Sequence, residues 1–356
     1  MFLFSKKSKV SLGIDIGASA VKMVELTRED GRHRLKNYAI YPLTKYLEKA
    51  DYQVGQPGSK ISDAEMVEII KKGIKEAKIS SRNVFLSIPV YSSFSTLIDF
   101  PVMPEKVIAA AIPFEARKYI PVPISEVVLD WSIIKPLNKK TDQKKRSNHQ
   151  VLLIAVPKEV ISSYTKIVRS AGLVLKGIEE ETFSLTRALI ANDKSTFVLI
   201  DVGARSINVS IIDDGYIRVN HNLELGGAKI TRAIAQQLGF DLEKAERLKK
   251  ELSTGESHQE LKLKSSVQSA LGHIVLEIKK IIDNYQGKYT RKVEKAILVG
   301  GGVQLSGFTD YISTKLILDT TIGDPFVRLS YPTKLEGVLK ELGPSLAVAV
   351  GLAMRE

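Results

Sequence analysis

The chain has 356 residues, of which 44% are hydrophobic and 26% charged, a balance typical of a folded globular protein with one or two cores. It contains no cysteine, which excludes disulfides and thiolate metal sites and favours a reducing compartment. Its 52 Lys and Arg residues exceed the 40 Asp and Glu residues, and the net charge is +12. That charge favours the binding of polyanions. The sequence lacks the combination of aromatic and arginine residues that is typical of nucleic-acid-binding proteins, so we expect no nucleic-acid partner.

No targeting or membrane-spanning signal is recognisable. Residues 1–7 lack the long apolar core and small-residue cleavage site of a signal peptide. No stretch approaches the roughly 20 apolar residues that cross a bilayer. We therefore expect a cytoplasmic protein.

The first part of the chain alternates strands and turns. The apolar pattern predicts strands at residues 10–16, 20–27 and 34–41, then a polar stretch at 53–60, a helix at 63–78 and a buried strand at 84–89. Ser62 or Asp63 can cap this helix. Its apolar side chains recur at helical spacing and form one face.

The middle of the chain predicts a compact insert. We expect a strand at 94–100, a helix at 105–119, strands at 127–134 and 150–156, and a helix at 158–170. The lysine-rich residues 135–149 between the two adjacent strands predict a solvated hairpin tip.

The second half begins with a repeat of the opening pattern. Residues 196–211 again show an apolar run, an aspartate, an apolar residue, a glycine and a small residue, which predicts duplicated lobes. Helices are predicted at 228–238, 242–252 and 261–285, and a buried strand at 296–299 runs into three glycines. Gly343 and Pro344 are predicted to open a final helix that continues to Leu352, because the first turn of a helix accepts proline.

The two aspartate–glycine turns are candidate phosphate and metal sites. Glycine lets backbone N–H groups approach phosphate oxygens, and Asp15 and Asp201 are suited to hold the waters of a hydrated Mg²⁺. Each turn alone could equally be a tight hairpin. Both together, followed by a third glycine-rich turn, favour nucleotide binding between two lobes, with the two aspartates facing each other.

These three turns in this order resemble the phosphate-1, phosphate-2 and adenosine motifs of the actin, Hsp70 and sugar-kinase superfamily. The resemblance spans nearly the whole chain and implies an α/β actin-like ATPase fold of duplicated ribonuclease-H-like lobes that binds ATP and Mg²⁺. The residues that match the three motifs are Asp15, Gly17, Ser19, Lys22, Asp201, Gly203, Gly300, Gly301 and Gly302.

Two further positions extend this resemblance. Glu246 and Lys249 match an Ala-Glu-x-x-Lys pattern that reaches the ribose and adenine, although a surface pair at this spacing is the alternative. Glu181 matches the linker that holds a water-orienting residue, and an acid-rich helix N-terminus is the alternative there. The resemblance implies at most a slow ATPase.

The insert resembles the 1C subdomain of the bacterial FtsA branch. Within that branch, the stretches DFPVMP at 99–104, AIPFEARKYIPVP at 111–123 and VLDW at 128–131 resemble the PilM family of type IV pilus assembly. The implied subdomains are 1A at 9–91 and 174–194, 1C at 92–173, 2A at 195–227 and 293–356, and 2B at 228–292.

The PilM resemblance also implies a partner. In the family, the cytoplasmic N-terminal tail of PilN lies in a groove between subdomains 1A and 1C, and we expect Phe114, Tyr119 and Ile120 to line it. The resemblance further implies contacts with other pilus platform components, an inner-membrane association only through PilN, and the capacity to form homo-oligomers. Because the FtsA branch carries its membrane-binding helix after the last helix of the superfamily, where residues 352–356 lie here, we expect this chain to have no membrane anchor of its own.

Two other functions remain open from the sequence. A small-molecule kinase of the same superfamily would need a further catalytic carboxylate in the cleft. A filament-forming, lipid-binding FtsA-like cell-division protein would need its own membrane anchor.

Overall fold

The computed structural model describes residues 10–29, 31–43, 61–137, 149–250 and 258–355. The predicted polar stretch at 53–60, most of the lysine-rich hairpin tip at 135–149 and the last two residues of the helix predicted at 242–252 lie outside these residues. Among the described residues, no helix is both long and apolar enough to cross a membrane.

The described residues divide into two compact units. The first comprises residues Met1–Pro89, Lys158–Ala191 and Asp324–Glu356, and the second comprises Val90–Pro157 and Asn192–Gly323. The expected bounds of subdomains 1A, 1C, 2A and 2B stay a prediction.

The first unit is built on a five-stranded sheet in the order β3-β2-β1-β4-β8. Its strands are β1 (Val10–Ile16), β2 (Ala20–Glu29), β3 (Arg32–Pro42), β4 (Asn83–Ile88) and β8 (Val174–Glu180). Strands β1, β2 and β3 are antiparallel neighbours, whereas β4 and β8 run parallel to β1. The strands predicted at 10–16, 20–27, 34–41 and 84–89 are confirmed, while β8 carries no clear sequence pattern.

Four helices pack on this sheet, and the first three are α1 (Asp63–Glu76), α3 (Lys158–Ser170) and α4 (Glu181–Leu189). Ser62 caps α1 through a capping box in which its hydroxyl accepts from the Glu65 N–H while the Glu65 carboxylate accepts from the Ser62 N–H. Ile167 and Val168 of α3 are buried in the same core as Ile70 of α1.

The last helix of the chain differs from the prediction. Helix α9 runs over Glu336–Ala353, so Pro344 lies inside it and does not open it. The interior proline removes one backbone hydrogen bond, but the preceding turns bury Leu339 in the core of the first unit. The helix passes so close to β1 that a Cβ on Gly13 would lie 2.1 Å from the Ala349 carbonyl oxygen.

The second unit repeats the topology of the first sheet. Its strands β9 (Thr196–Val202), β10 (Ile207–Asp213), β11 (Tyr216–Leu223), β12 (Lys295–Val299) and β13 (Asp319–Ile322) follow the order β11-β10-β9-β12-β13. Again three antiparallel strands are followed by two parallel ones. The duplication expected from the sequence repeat is therefore confirmed in the fold.

Helices complete the core of the second unit. They are α5 (Gly227–Leu238), α6 (Leu242–Lys250), α7 (His258–Lys288) and α8 (Phe308–Leu316). Helix α7 buries Leu271, Ile274 and Ile278 against the sheet. Ile281, which the periodicity also places on this face, is only partly buried.

The insert, which lies in the chain between β4 and β8, contains a small sheet of its own. Strands β5 (Phe94–Phe100), β7 (His149–Pro157) and β6 (Val127–Ile134) are antiparallel in the order β5-β7-β6, and α2 (Glu105–Ala116) packs on them. The insert is tied to the rest of the second unit by a buried contact. The guanidinium of Arg218 on β11, 4% exposed, donates to the Gln150 side chain on β7 over 3.0 Å.

Candidate functional site

The first aspartate–glycine turn buries its carboxylate. Asp15 lies at the end of β1 and is only 2% exposed. One carboxylate oxygen accepts from the Ser87 hydroxyl on β4 over 3.0 Å, and the other accepts from the Lys22 ammonium over 3.1 Å. Through these two contacts Asp15 joins β1 to β2 and β4, so its carboxylate is part of the packing of the first unit.

The remaining residues of the first turn are more accessible. The Gly17 N–H donates to the Ala20 carbonyl over 3.0 Å and so closes the turn between β1 and β2. Ser19 is exposed, and the Lys22 side chain is 17% exposed. The turn therefore presents a hydroxyl at the surface and an ammonium already held by a carboxylate.

The second turn has the same backbone geometry. Asp201 lies near the end of β9, and the Gly203 N–H donates to the Ser206 carbonyl over 3.0 Å. The Gly203 carbonyl in turn accepts from the Gly227 N–H at the start of α5 over 3.0 Å. The turn is thereby fixed to the N-terminus of a helix, a position that favours anions.

The glycine-rich turn lies directly beside the second turn. Strands β9 and β12 are parallel neighbours in which Val299 pairs with Asp201. Gly300 follows with a φ of 88° and a ψ of 169°, a conformation almost confined to glycine. A Cβ at this position would lie 2.4 Å from an Asp201 carboxylate oxygen and 2.6 Å from the Val202 carbonyl oxygen.

A polar cluster extends this site along α5 and α6. The Lys249 ammonium lies 2.6 Å from the Glu246 carboxylate, 2.8 Å from the Thr231 hydroxyl and 3.2 Å from the Gly227 carbonyl oxygen. The Lys249 side chain is only 13% exposed. Glu246 and Lys249 are therefore not a surface pair, because they also bind α5 beside Gly203. Sequence reasoning did not single out Thr231 or Gly227, although both lie in the GGAKIT run that opens α5.

The residues of the second unit fit a nucleotide. Asp201, Gly203 and Gly300 lie together at the ends of two adjacent strands, and the polar cluster of Glu246 and Lys249 is joined to them through Gly227. Glycine residues leave backbone N–H groups accessible to phosphate oxygens, and the N-terminus of a helix attracts their negative charge. Within the described ranges, no three His, Asp or Glu side chains lie together as metal ligands. Mg²⁺ is usually held by one or two carboxylates and substrate phosphates, and Asp201 is the carboxylate at the glycine turns of this unit.

The two aspartates fall in different units. Asp15 and Lys22 belong to the first and Asp201 to the second. Their expected approach across a nucleotide therefore stays a prediction.

Glu181 is the first residue of α4 and is half-buried. Its neighbour Glu180, at the N-cap, is only 2% exposed. Glu179 binds the Arg187 guanidinium through two contacts of 2.7 and 2.9 Å. Sequence reasoning missed the burial of Glu180, because three consecutive glutamates give no sign of which one faces inward.

The insert carries the predicted partner residues in two different environments. Phe114 on α2 is 66% exposed, and Tyr119 is 41% exposed. Ile120 is 6% exposed and packs in the core of the insert with Ile108 and Leu153. The expectation that Ile120 lines a groove is therefore not supported by its position. Further exposed apolar side chains of the insert are Val102, Val107, Val122 and Val128.

Comparisons with known proteins identify the relationship. A family model described as type IV pilus assembly protein PilM matches residues 13–356. A solved structure described as the PilM-PilN type IV pilus biogenesis complex is similar with a TM-score of 0.81 and 26% identity, covering 97% of this chain and 98% of that chain.

More distant matches agree with the fold. Ethanolamine utilization protein EutJ from Carboxydothermus hydrogenoformans has a TM-score of 0.57 at 15% identity, covering 97% of this chain and 89% of that chain. MreB5 of Spiroplasma citri bound to ADP has a TM-score of 0.51 at 12% identity, covering 96% of this chain and 94% of that chain. Cell division protein FtsA of Bacillus subtilis is 27% identical over 148 residues, which are 39% of this chain and 34% of the FtsA chain. The chain thus spans about a third of this curated relative, and the expected actin-like fold is confirmed.

Proposed function

Because the chain belongs to the PilM family of type IV pilus assembly proteins, we propose that it is a nucleotide-dependent scaffold that binds the tail of PilN. The role in type IV pilus assembly follows from membership of this family. The nucleotide, the peptide surface and the coupling between them are the proposal.

The nucleotide proposal depends on the second unit. The close approach of Gly300 to Asp201 leaves no room for a side chain between the ends of β9 and β12, and the Gly227 N–H fixes the neighbouring turn to α5. When bound, Mg-ATP would supply phosphate groups for the backbone N–H groups of the glycine turns and a hydrated cation for the carboxylates. The residues that we propose to bind the nucleotide are Asp15, Gly17, Ser19, Lys22, Asp201, Gly203, Glu246, Lys249, Gly300, Gly301 and Gly302.

Calorimetric titration of Mg-ATP tests this site. We expect Lys249→Met to reduce the affinity by at least tenfold, because Lys249 is held at Gly227 and Glu246 beside the glycine turns. Lys279→Met on α7 is the matched control, since Lys279 is an exposed lysine of the same unit. Equal affinities of the two variants would contradict the assignment. Hydrolysis through Glu181 remains a separate prediction, measured by phosphate release.

The peptide proposal depends on the insert. The similar solved structure is a PilM-PilN complex that covers 97% of this chain. In this chain the insert exposes Phe114 and Tyr119 on and just after α2, while β6 is an edge strand of the small sheet. An edge strand beside apolar side chains can take an extended peptide by strand pairing and side-chain burial.

Titration with a synthetic PilN tail peptide tests this surface. We expect Phe114→Ala to weaken binding by about tenfold or more, since a buried aromatic anchor often contributes over 1 kcal/mol. Leu276→Ala is the matched control, because Leu276 on α7 is 51% exposed. If both variants bind the peptide like the parent, α2 is not the binding surface.

The same titration, repeated with Mg-ATP, tests the scaffold as a switch. A ligand that stabilises one arrangement of the lobes must change the peptide affinity if the peptide prefers that arrangement. Equal peptide affinities with and without Mg-ATP would contradict the proposed coupling between nucleotide binding and peptide binding. Association with the inner membrane through PilN, contacts with other platform components and homo-oligomer formation belong to the same proposal.

A further inference from the structure

A second surface of the first unit has the chemistry of an anion site. A cavity of about 390 Å³ opens at the end of α1, where the chain passes from α1 into β4 and from α3 into β8. Its lining comprises Lys71, Ile74, Lys75, Lys78, Ile79, Ser80, Arg82 and Ala171. The four charged side chains of the lining are all cationic and exposed.

Three of these cations have no acidic neighbour. Lys71 forms an ion pair with Glu68 over 3.2 Å. Within the described ranges, Lys75, Lys78 and Arg82 have no carboxylate within 4.0 Å. The lining residue Ser80 also accepts from the ammonium of Lys36, but Lys36 lies 3.8 Å from the carboxylate of Glu25 and is already paired. Glu25 is fully buried and accepts from the Ser80 hydroxyl, so it compensates Lys36 and not the three exposed cations. Lys75, Lys78 and Arg82 repel one another, and an anionic ligand would relieve that repulsion.

The backbone here holds the cations in place. Lys78 has a φ of 53°, an uncommon conformation for a side-chain-bearing residue, and its neighbour Ile79 donates its N–H to the Ile74 carbonyl over 3.0 Å. The Arg82 carbonyl accepts from the Val174 N–H over 2.7 Å. Lys75 therefore projects from the last turn of α1, and Lys78 and Arg82 project from the following segment, which is hydrogen-bonded to both α1 and β8.

The cavity lies away from the candidate nucleotide residues of this unit. Arg82 precedes the start of β4, whereas Asp15 lies at the end of β1, which runs parallel to β4. The start of β1 lies nearer to the cavity than its end does. The hydroxyl of Ser81, between the lining residues Ser80 and Arg82, donates to the Val10 carbonyl over 3.4 Å. The sequence before Val10 combines large apolar residues with lysines, namely Phe2, Leu3, Phe4, Lys6, Lys7 and Lys9.

We propose that Lys75, Lys78 and Arg82 bind the phosphate of an anionic phospholipid headgroup, so that this end of the first unit contacts a membrane surface directly. Charge complementarity favours an anionic ligand, and the apolar and basic residues before Val10 favour a bilayer over a soluble phosphate compound. This contact goes beyond peptide binding, and it departs from the expectation that the membrane is reached only through PilN.

Flotation of the full-length protein with vesicles tests the proposal. The probe is vesicles of equimolar phosphatidylglycerol and phosphatidylcholine, compared with phosphatidylcholine alone. We expect binding to the anionic vesicles only, and a loss of about fivefold in the partition coefficient for each cation removed. The variant Lys75→Gln/Lys78→Asn/Arg82→Gln should therefore bind about a hundredfold more weakly. Asparagine is used at 78 because it tolerates positive φ.

A charge-matched control separates this site from the general basicity of the protein. Lys279→Gln/Lys292→Gln/Lys340→Gln removes three exposed lysines elsewhere in the described chain. Circular dichroism melting confirms that both variants are folded. The proposal is overturned if the parent does not float with anionic vesicles, or if the two variants bind equally. It is also overturned if millimolar glycerol phosphate abolishes binding at constant ionic strength, since the ligand would then be a soluble phosphate.

Discussion

Replacing Gly300 with alanine tests how the glycine-rich turn is held. The added Cβ would lie 2.4 Å from an Asp201 carboxylate oxygen, 2.6 Å from the Val202 carbonyl oxygen and 2.9 Å from the Val202 carbonyl carbon. Two of these three atoms belong to the backbone of β9, so no side-chain rotation relieves the overlap. The clash exists whether or not nucleotide binds.

The expected cost combines strain and overpacking. A residue other than glycine at a φ of 88° and a ψ of 169° costs about 1–3 kcal/mol. Forcing an extra methyl group into a filled space costs about another 1–3 kcal/mol. We therefore expect Gly300→Ala to lower the free energy of unfolding of the second unit by about 2–6 kcal/mol.

Urea unfolding followed by tryptophan fluorescence measures this loss. The chain has one tryptophan, Trp131, which lies in the same unit as Gly300. Gly287→Ala on α7 is the control, since Gly287 belongs to the same unit as Gly300 and Trp131. Nothing lies within 4 Å of a Cβ at that helical position, and alanine should be neutral or stabilise by up to about 1 kcal/mol. A loss below about 1 kcal/mol for Gly300→Ala would refute the packing argument.

Three further outcomes follow from the structure. Asp15→Ala should weaken Mg-ATP binding in calorimetry and destabilise the first unit by about 1–3 kcal/mol, because the Lys22 ammonium loses its partner; unchanged affinity would contradict the site. Glu25 is fully buried; burial raises its pKa, but hydrogen bonds from Asn37 and Ser80 outweigh burial and lower the pKa below 4.5. The stabilisation by Glu25 is therefore complete above about pH 4.5 and is lost as the pH falls through the lower folded pKa, so Glu25→Gln should flatten the acid limb of a stability profile. An identical acid limb in parent and variant would count against this role.

Local sequence signals were sufficient for the strands around the two aspartate–glycine turns, but not for β8, β11 or β13. The apolar runs that end in Asp15 and Asp201 predict β1 and β9, because apolar run, turn glycine and returning strand are all contained within about fifteen residues. Ser62 and Glu65 likewise predict the start of α1 through contacts three residues apart. The PilM resemblance depended on the same kind of local stretch.

Elements without a local signal were missed or misplaced. Strand β13 is four residues long and mostly polar, and its pairing with β12 decides its conformation. Helix α9 begins eight residues before Pro344, because burial of Leu339 offsets the hydrogen bond that the proline removes. The residues adjacent in the sequence specify neither the burial of Leu339 nor the pairing of β13 with β12.

The sequence by itself determined the family, the strands that end in Asp15 and Asp201 and the aspartate–glycine turns, because these depend on residues close together in the chain. Only the tertiary structure decided that Asp15 is buried against Ser87, 72 residues away, that Ile120 belongs to the insert core while Phe114 is exposed, and that Lys75, Lys78 and Arg82 surround one cavity. The physical reason is that burial and charge density depend on which segments meet in space, and the chain brings those segments together only when its sheets form.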